Sequence, residues 1–559
     1  MWYGSEEKAE KELTDTSRAH TSLNKPFKHR PEKNSPMYDL VIKGGRVIDG
    51  SGNLWFPSDV AVTKGIIAAM GKVEKKARKT IDASGLVVSP GFIDAHSHGD
   101  IVLISEPEAR IKIMQGITTE IVGQDGLGEA PLTDANLEMW RRYLSGLNGN
   151  PDIEWNWRSL GEYLDRLAAA KPSVNVASLV GHGNIRLAAM GMENRKPTSL
   201  ELSKMKKLLD DSLYEGAIGL STGLIYPPCV YSDTSELTEL CKVTVAHHGV
   251  FVVHMRNEGD KLLDSIEEVV SVGRGSGVSV HISHFKSNGR ANWGKASQAL
   301  SKVEEARKEG IDVTFDQYPY TAGSTFLGSL LPPWAHEGGV DILLKRLKDN
   351  ETRKKLAAYL GGARGDEGSP HEWDKILITN VQTSRNKLFE GKYVSQIAAK
   401  LDKTPADTVL DLVLDEENAA TMATFTMDEN DVRTIMKSPL GMVCTDGIVL
   451  GKPHPRAYGS FPRVAGYYVR EGVLRLEEAI KKMTSYTAQT HGLFDRGLLR
   501  PGLAADITVF DPEKIRDTAT FENPIQHPKG IEYVVVNGVV TVEKGKHNGG
   551  RAGRILCHI

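Results

Sequence analysis

The run Gly91-Phe92-Ile93-Asp94-Ala95-His96-Ser97-His98-Gly99 sets two imidazoles two residues apart. In an extended strand such residues point the same way, so His96 and His98 offer both rings to one point. Neutral imidazole is a favoured ligand of zinc and its neighbours. Two surface histidines would explain one such pair equally well, but two further histidines shift the balance. His254 ends the apolar run VFVVH and His284 ends VSVHISH. A single histidine at a strand end is commonly a hydrogen-bonded core residue; four at the ends of predicted strands read as a metal site. His281 lies an odd number of positions from His284, so strand alternation turns it away, and it is assigned a structural role. A metal-activated water also needs a base. Asp446, in MVCTDG, follows a short apolar stretch and precedes Gly447, where a tight turn exposes it. Such a carboxylate can take a proton from an attacking water and return it to a leaving amine.

These residues must be held by elements, and the pattern predicts which. LELSKMKKLLDDSLYEG carries Leu202, Met205 and Leu209 on one helical face and is followed by the strand GAIGLS. Helix then alternates with short apolar strand through VFVVHM, VSVHISH and IDVTFDQYP, the mark of a parallel α/β sheet. Thr222, His254, His284 and Asp316 close four successive strand patterns at intervals of 32, 30 and 32 residues, about one βα repeat each. Polar residues at the end of strand after strand suit the mouth of a (β/α)8 barrel; an open doubly wound sheet would keep them near one switch point. Gly-punctuated β runs occur near both ends of the chain (YDLVIKGGRVIDG, ADITVFDP, IEYVVVNGVV). They predict a small β-sandwich domain built from both. The expected division is a flexible tail over 1–36, the first part of the β domain over 37–90, and a catalytic barrel over 91–494. Within the barrel, about 321–380 is expected to form an inserted lid, and 495–559 supplies the rest of the β domain and a C-terminal tail.

The chain has 559 residues, with Lys+Arg 69 against Asp+Glu 72 and a net charge of −3, which argues against a nucleic-acid partner. Its four cysteines form no CxxC pair, so no disulfide scaffold is expected. No apolar run reaches the roughly 18–20 residues of a membrane span. A cytoplasmic, membrane-free protein acting on a small molecule is expected; nothing fixes its oligomeric state.

HSH after PGFIDA, HMRNEGD, HISHFK and the late TDG, together with QGITTEIVGQDG, GLIYPP, DQYPYTAGST and KPHPRAYGSFPRV, resemble the amidohydrolase superfamily. Within it the likeness is to the N-acyl-D-amino-acid deacylases, and it runs in order from about Tyr38 to Leu556. The resemblance implies a metal-dependent barrel beside a small β-sandwich. It implies one tight Zn2+ on His254 and His284, with His96 and His98 able to hold a second, weaker one, and Asp446 as general acid/base. It assigns Tyr226 to the substrate's carbonyl oxygen, and Tyr318, Ser324 and Arg456 to its carboxylate. A guanidinium fork matches a carboxylate, and a tyrosine can donate to a developing oxyanion. Known deacylases of this group carry a ligating Cys within the segment matching Val122-Gly123-Gln124-Asp125-Gly126; here Asp125 stands instead. A carboxylate can bind zinc and bridge two ions but is harder than thiolate. Glu120, five residues earlier, is expected below the mouth. Hydrolysis of an N-acyl-D-amino acid to a carboxylate and a free D-amino acid is the expected reaction. The alternatives are a cyclic-amide or dipeptide hydrolase of hydantoinase or dihydroorotase type, and a non-catalytic scaffold on the same fold.

Overall fold

The computed structural model describes residues 37–362 and 371–557. The expected tail, 1–36, lies outside them, as does the 363–370 stretch of the expected lid. Within the described residues eight parallel strands surround one core: β1 (Phe92–Asp94), β2 (Ile117–Val122), β3 (Asn175–Ser178), β4 (Gly219–Gly223), β5 (Val250–His254), β6 (Ser279–Ile282), β7 (Val313–Gln317) and β8 (Gly441–Val443). Neighbours pair in sequence, apart from a break between β3 and β4. After Leu179, β3 resumes as Val180–Gly181, which pairs with β4. The last gap, between β8 and β1, is closed by a single bridge from Ser97 to Gly447. Helices alternate with the strands as the periodicity predicts. Ser199–Tyr214 buries Met205 and Leu209, and Leu262–Ser276 buries Leu262, Ile266, Val269 and Val270 against the barrel. The former begins with a capping box in which the side chains of Thr198 and Glu201 each bond the other's backbone N–H.

Both ends of the chain build a nine-stranded mixed sheet. Val87–Pro90 runs antiparallel to Ile507–Phe510, joining the two halves. Alternate residues Leu40, Ile42, Val60, Val62, Ile507 and Val509 form its core. The end of the segment expected as a C-terminal tail packs on the barrel. Ile555–Leu556 pairs in parallel with β3, and Val176 N–H donates to Arg554 O at 2.9 Å.

The insertion between β7 and β8 reaches beyond the lid expected over about 321–380, whose sequence suggests one or two short helices joined by a charged loop. Gly323–Phe326, Thr421–Thr424 and Ile376–Asn380 form an antiparallel sheet, so the inserted structure runs on to Thr424. Leu343, Leu347, Leu356, Leu360, Val409 and Val413 form a core of its own. Helices are expected here; the three-stranded sheet is not, since its short strands carry no marked alternation.

Candidate metal centre

The histidine pair His96/His98 does not lie on a strand. β1 stops at Asp94, and both rings sit on the turn beyond it, fixed by Asp446 N–H donating to His96 O at 2.9 Å. The expected convergence is achieved by this turn, with ring centroids 5.1 Å apart. His254 ends β5 as predicted. His284 lies two residues beyond β6. Asp125 follows β2 on a one-turn helix, Gln124–Gly126. Asp125 (φ 57°), His284 (φ 34°) and Asp446 (φ 47°) all occupy left-handed backbone that non-glycine residues seldom adopt. Such conformations concentrate where surrounding structure holds a functional side chain in place. Gly123 (φ +74°) admits the Asp125 turn: a Cβ there would stand 2.4 Å from Leu179 O.

Asp125 lies between two histidine pairs. Its Oδ2 is 3.6 Å from Nε2 of both His96 and His98. Its Oδ1 is 4.0 Å from His254 Nδ1 and 3.8 Å from His284 Nε2. One carboxylate oxygen therefore faces each pair, the disposition of a bridging ligand. The His254 and His284 nitrogens are 2.8 Å apart. Asp446 flanks the first pair, with Oδ1 3.3 Å from His98 Nε2 and 3.8 Å from His96 Nε2.

The donor set fits divalent cations. Both His96 nitrogens and Asp125 Oδ1 are buried without a hydrogen-bond partner, and buried polar groups ordinarily have one. Burial pulls the His96 pKa down, but Asp125, Asp446 and Asp316 outweigh it and raise it to about 9. The carboxylates thus favour positive charge at this point. Burial would raise the Asp125 carboxyl, yet His96, His284 and His254 hold it well below the usual carboxylate range. Burial dominates at His254 and pulls it down to about 4, keeping its ring neutral and able to donate a lone pair. These nitrogen and oxygen donors suit zinc or a neighbouring divalent ion.

A buried ionic network underlies the His96 and Asp446 turns. Lys112 Nζ donates to Asp94 Oδ2 at 2.6 Å, and to Ser97 Oγ and Thr445 Oγ1 at 2.8 Å each. Ser97 Oγ donates to Glu120 Oε2 at 2.5 Å. Glu120 is fully buried in this network, below the mouth as expected. His281 Nε2 donates to Asp316 Oδ2 at 2.8 Å and its Nδ1 lies 2.9 Å from Thr314 Oγ1, while Asp316 Oδ1 accepts from His284 N–H at 2.7 Å. Its structural role stands beside that of Asp316, which positions His284 from below.

Above the centre opens a cavity of about 670 Å³ lined by His98, Asp125, His254, His284, Asp446, Tyr226, Tyr318, Ser324 and Arg456. His96 lies beneath it, fully buried. Arg456 Nη1 pairs with Asp446 Oδ2 at 2.8 Å, its Nη2 donates to Ser324 O at 3.0 Å, and its guanidinium lies 4.4 Å from the Tyr318 ring centre. Tyr226 OH lies 2.7 Å from Thr325 Oγ1. The insertion supplies Ser324, Thr325, Ile376, Met422 and Thr424 to the wall. Sequence reasoning passed over Lys112, Glu258 and Lys286, the last two in the cavity wall. Glu258 and Lys286 stand inside the HMRNEGD and HISHFK motifs, four and two residues from ligand candidates, and that proximity was the available signal.

The profile of the amidohydrolase family matches residues 79–542. The chain is 36% identical over 529 residues to a D-aminoacylase of Alcaligenes xylosoxydans xylosoxydans, covering 94% of this chain and 99% of that protein. The structure of N-acyl-D-glutamate deacylase from Bordetella bronchiseptica, complexed with zinc and a phosphonate mimic of the tetrahedral intermediate, superposes with a TM-score of 0.79. It is 34% identical and covers 93% of this chain and 100% of that one. A D-aminoacylase structure concerned with its binuclear metal centre gives the same TM-score at 37% identity, over 93% of this chain and 100% of that chain. On fold, residues matched and overall identity, the chain belongs to the amidohydrolase family.

Proposed function

We propose that the chain is a metal-dependent deacylase that hydrolyses the amide bond of N-acyl-D-amino acids to a carboxylate and a free D-amino acid. The observation that carries this reading is the meeting, in one cavity, of the Asp125-centred histidine set with the Asp446–Arg456 pair. The identity to D-aminoacylase over nearly the whole chain agrees with it. His254, His284 and Asp125 would hold a tight zinc ion, and His96 and His98 with the other Asp125 oxygen a second. When bound, zinc polarises the scissile carbonyl and lowers the pKa of a water at the site.

The chain's own residues do the rest. Asp446 takes the proton of the attacking water and delivers it to the leaving nitrogen. Burial would raise its pKa, but Arg456, a hydrogen bond with His98 and the charges of His96 and His284 hold it well below the ordinary carboxylate range. It therefore stands ionised and ready to accept. Arg456 has a buried Nε with no partner, a donor for the substrate carboxylate beside Tyr318 and Ser324. Burial keeps the Tyr226 phenol protonated, so it can leave Thr325 and donate to the carbonyl oxygen as charge develops there.

Asp446→Asn tests the assignment. It should lower kcat by about 10²–10⁴, the range for general acid/base groups, while zinc content by elemental analysis stays at the wild-type level. A zinc-loaded variant with near-normal kcat would overturn the role given to Asp446.

A further inference from the structure

Glu258, from the loop after β5, stands behind both histidines of the tight site. Its Oε1 is 3.1 Å from His284 Nδ1, and its Oε2 is 4.0 Å from His254 Nε2. These are the ring nitrogens facing away from Asp125, since His284 Nε2 and His254 Nδ1 face it. Lys286 is the third member: its Nζ donates to Glu258 Oε1 at 2.5 Å and lies 2.8 Å from His284 Nδ1. Its side chain and that of Glu258 are 10% and 11% exposed.

A histidine that gives Nε2 to a metal carries its proton on Nδ1. His284 Nδ1 has two close neighbours, an ammonium and a carboxylate. An ammonium can only donate, so Glu258 alone can accept this proton, and with Nδ1 protonated Lys286 bonds Glu258 Oε1 rather than the ring. The second Glu258 oxygen presents the same negative charge to the outer nitrogen of His254 at 4.0 Å, beyond hydrogen-bond length. The three groups His254, Glu258 and His284 also lie close enough to hold an ion themselves. Lys286, at hydrogen-bond distance from both Glu258 and His284, already fills that position with a positive charge.

We infer that Glu258 is a positioning residue for the metal: one carboxylate, held by Lys286, that fixes the protonation side and orientation of both histidines of the tight site. This rests on the deacylase reading only in taking His254 and His284 as zinc ligands. The test is zinc affinity of the full chain, measured by competition with a chromogenic chelator, alongside kcat and KM at saturating zinc. Glu258→Ala should weaken the tight site by about 10- to 100-fold, and Glu258→Gln, whose amide oxygen still accepts from Nδ1–H, by less than about tenfold. With zinc saturating, KM should stay near the wild-type value in both.

Unchanged zinc affinity in Glu258→Ala would overturn the inference and leave the deacylase reading intact. A raised KM with unchanged zinc affinity would overturn it in favour of a substrate contact. Equal losses in the Ala and Gln variants would overturn it in favour of direct ligation. A wild-type chain that binds no zinc would remove this inference and the metal-dependent reading together.

Discussion

Asp125 does more for the site than any other residue, because its two oxygens face two different pairs of histidines. Four neutral imidazoles alone would leave two adjacent divalent ions repelling each other without a shared anion, and a bridging carboxylate offsets that repulsion. Asp125→Asn keeps the shape and removes the charge. It should weaken zinc binding by more than about 100-fold, beyond what loss of an outer-sphere partner costs, as read by chelator competition. Near-normal affinity would mean that the histidines suffice. Residue type made His96, His98, His254, His284 and Asp446 legible before any coordinates, since few roles bring four histidines to strand ends. Glu258, Lys286 and Lys112 were not legible in the same way. Lysine and glutamate are ordinarily solvated, and only the fold shows these side chains buried and paired.

At the scale of elements, the barrel's weakest seam is also its most functional one. β8 and β1 share a single bridge, and Lys112, Asp94, Ser97 and Thr445 complete the closure through side chains. Ser97 lies between the candidate ligands His96 and His98 and Thr445 precedes Asp446, so the same contacts hold the seam and the proposed centre. Lys112→Met would leave Asp94 and Glu120 buried without their cation. It should destabilise the chain by about 3–5 kcal/mol, seen as an earlier denaturant midpoint. An unchanged midpoint would show that Thr445 and Ser97 carry the seam alone. The insertion has its own weak point in His336, buried with its Nε2 2.9 Å from Gly328 O. Burial, against the Gly328 bond and aided by Arg346, lowers its pKa to about 4. Its unfolded value is about 6.5, so the unfolded chain takes up this proton first. Stability is full above about pH 6.5 and falls as pH drops toward 4, by about 3 kcal/mol from this group. His336→Gln should flatten that part of a thermal-melt pH series; an identical slope in the variant would remove His336 as its source. The strands of the barrel were readable from apolar runs about 30 residues apart. The insertion's sheet was not, because its three strands come from segments separated by helices, and short antiparallel strands leave little periodic trace.

Across the whole molecule, the two end segments meet each other in one sheet and the barrel at β3. They share the nine-stranded sheet, and Asn175 on β3 ties that sheet to the barrel. Its amide donates to Asp506 Oδ2 at 2.9 Å, and its Oδ1 accepts from Asn537 Nδ2 at 2.7 Å and Arg554 N at 3.0 Å. The paired terminal β segments could be read from composition and Gly spacing. The docking of Ile555–Leu556 on β3 could not, since two residues carry no pattern. Among the described residues no helix is long and apolar enough to cross a membrane. With the barrel rim assembled from eight strands and part of the cavity wall supplied by the insertion, the architecture serves one centre. The reaction proposed for that centre is zinc-dependent cleavage of a linear amide bearing a D-configured carboxylate. One assay tests that most directly: hydrolysis of N-acetyl-D-amino acids, their L forms and hydantoins by the same preparation, before chelation, after it and after zinc is restored. The expected result is cleavage of the D substrates, little of the L forms or hydantoins, loss on chelation and recovery with zinc. Equal cleavage of D and L forms, preference for the cyclic amides, or activity indifferent to chelation would contradict it.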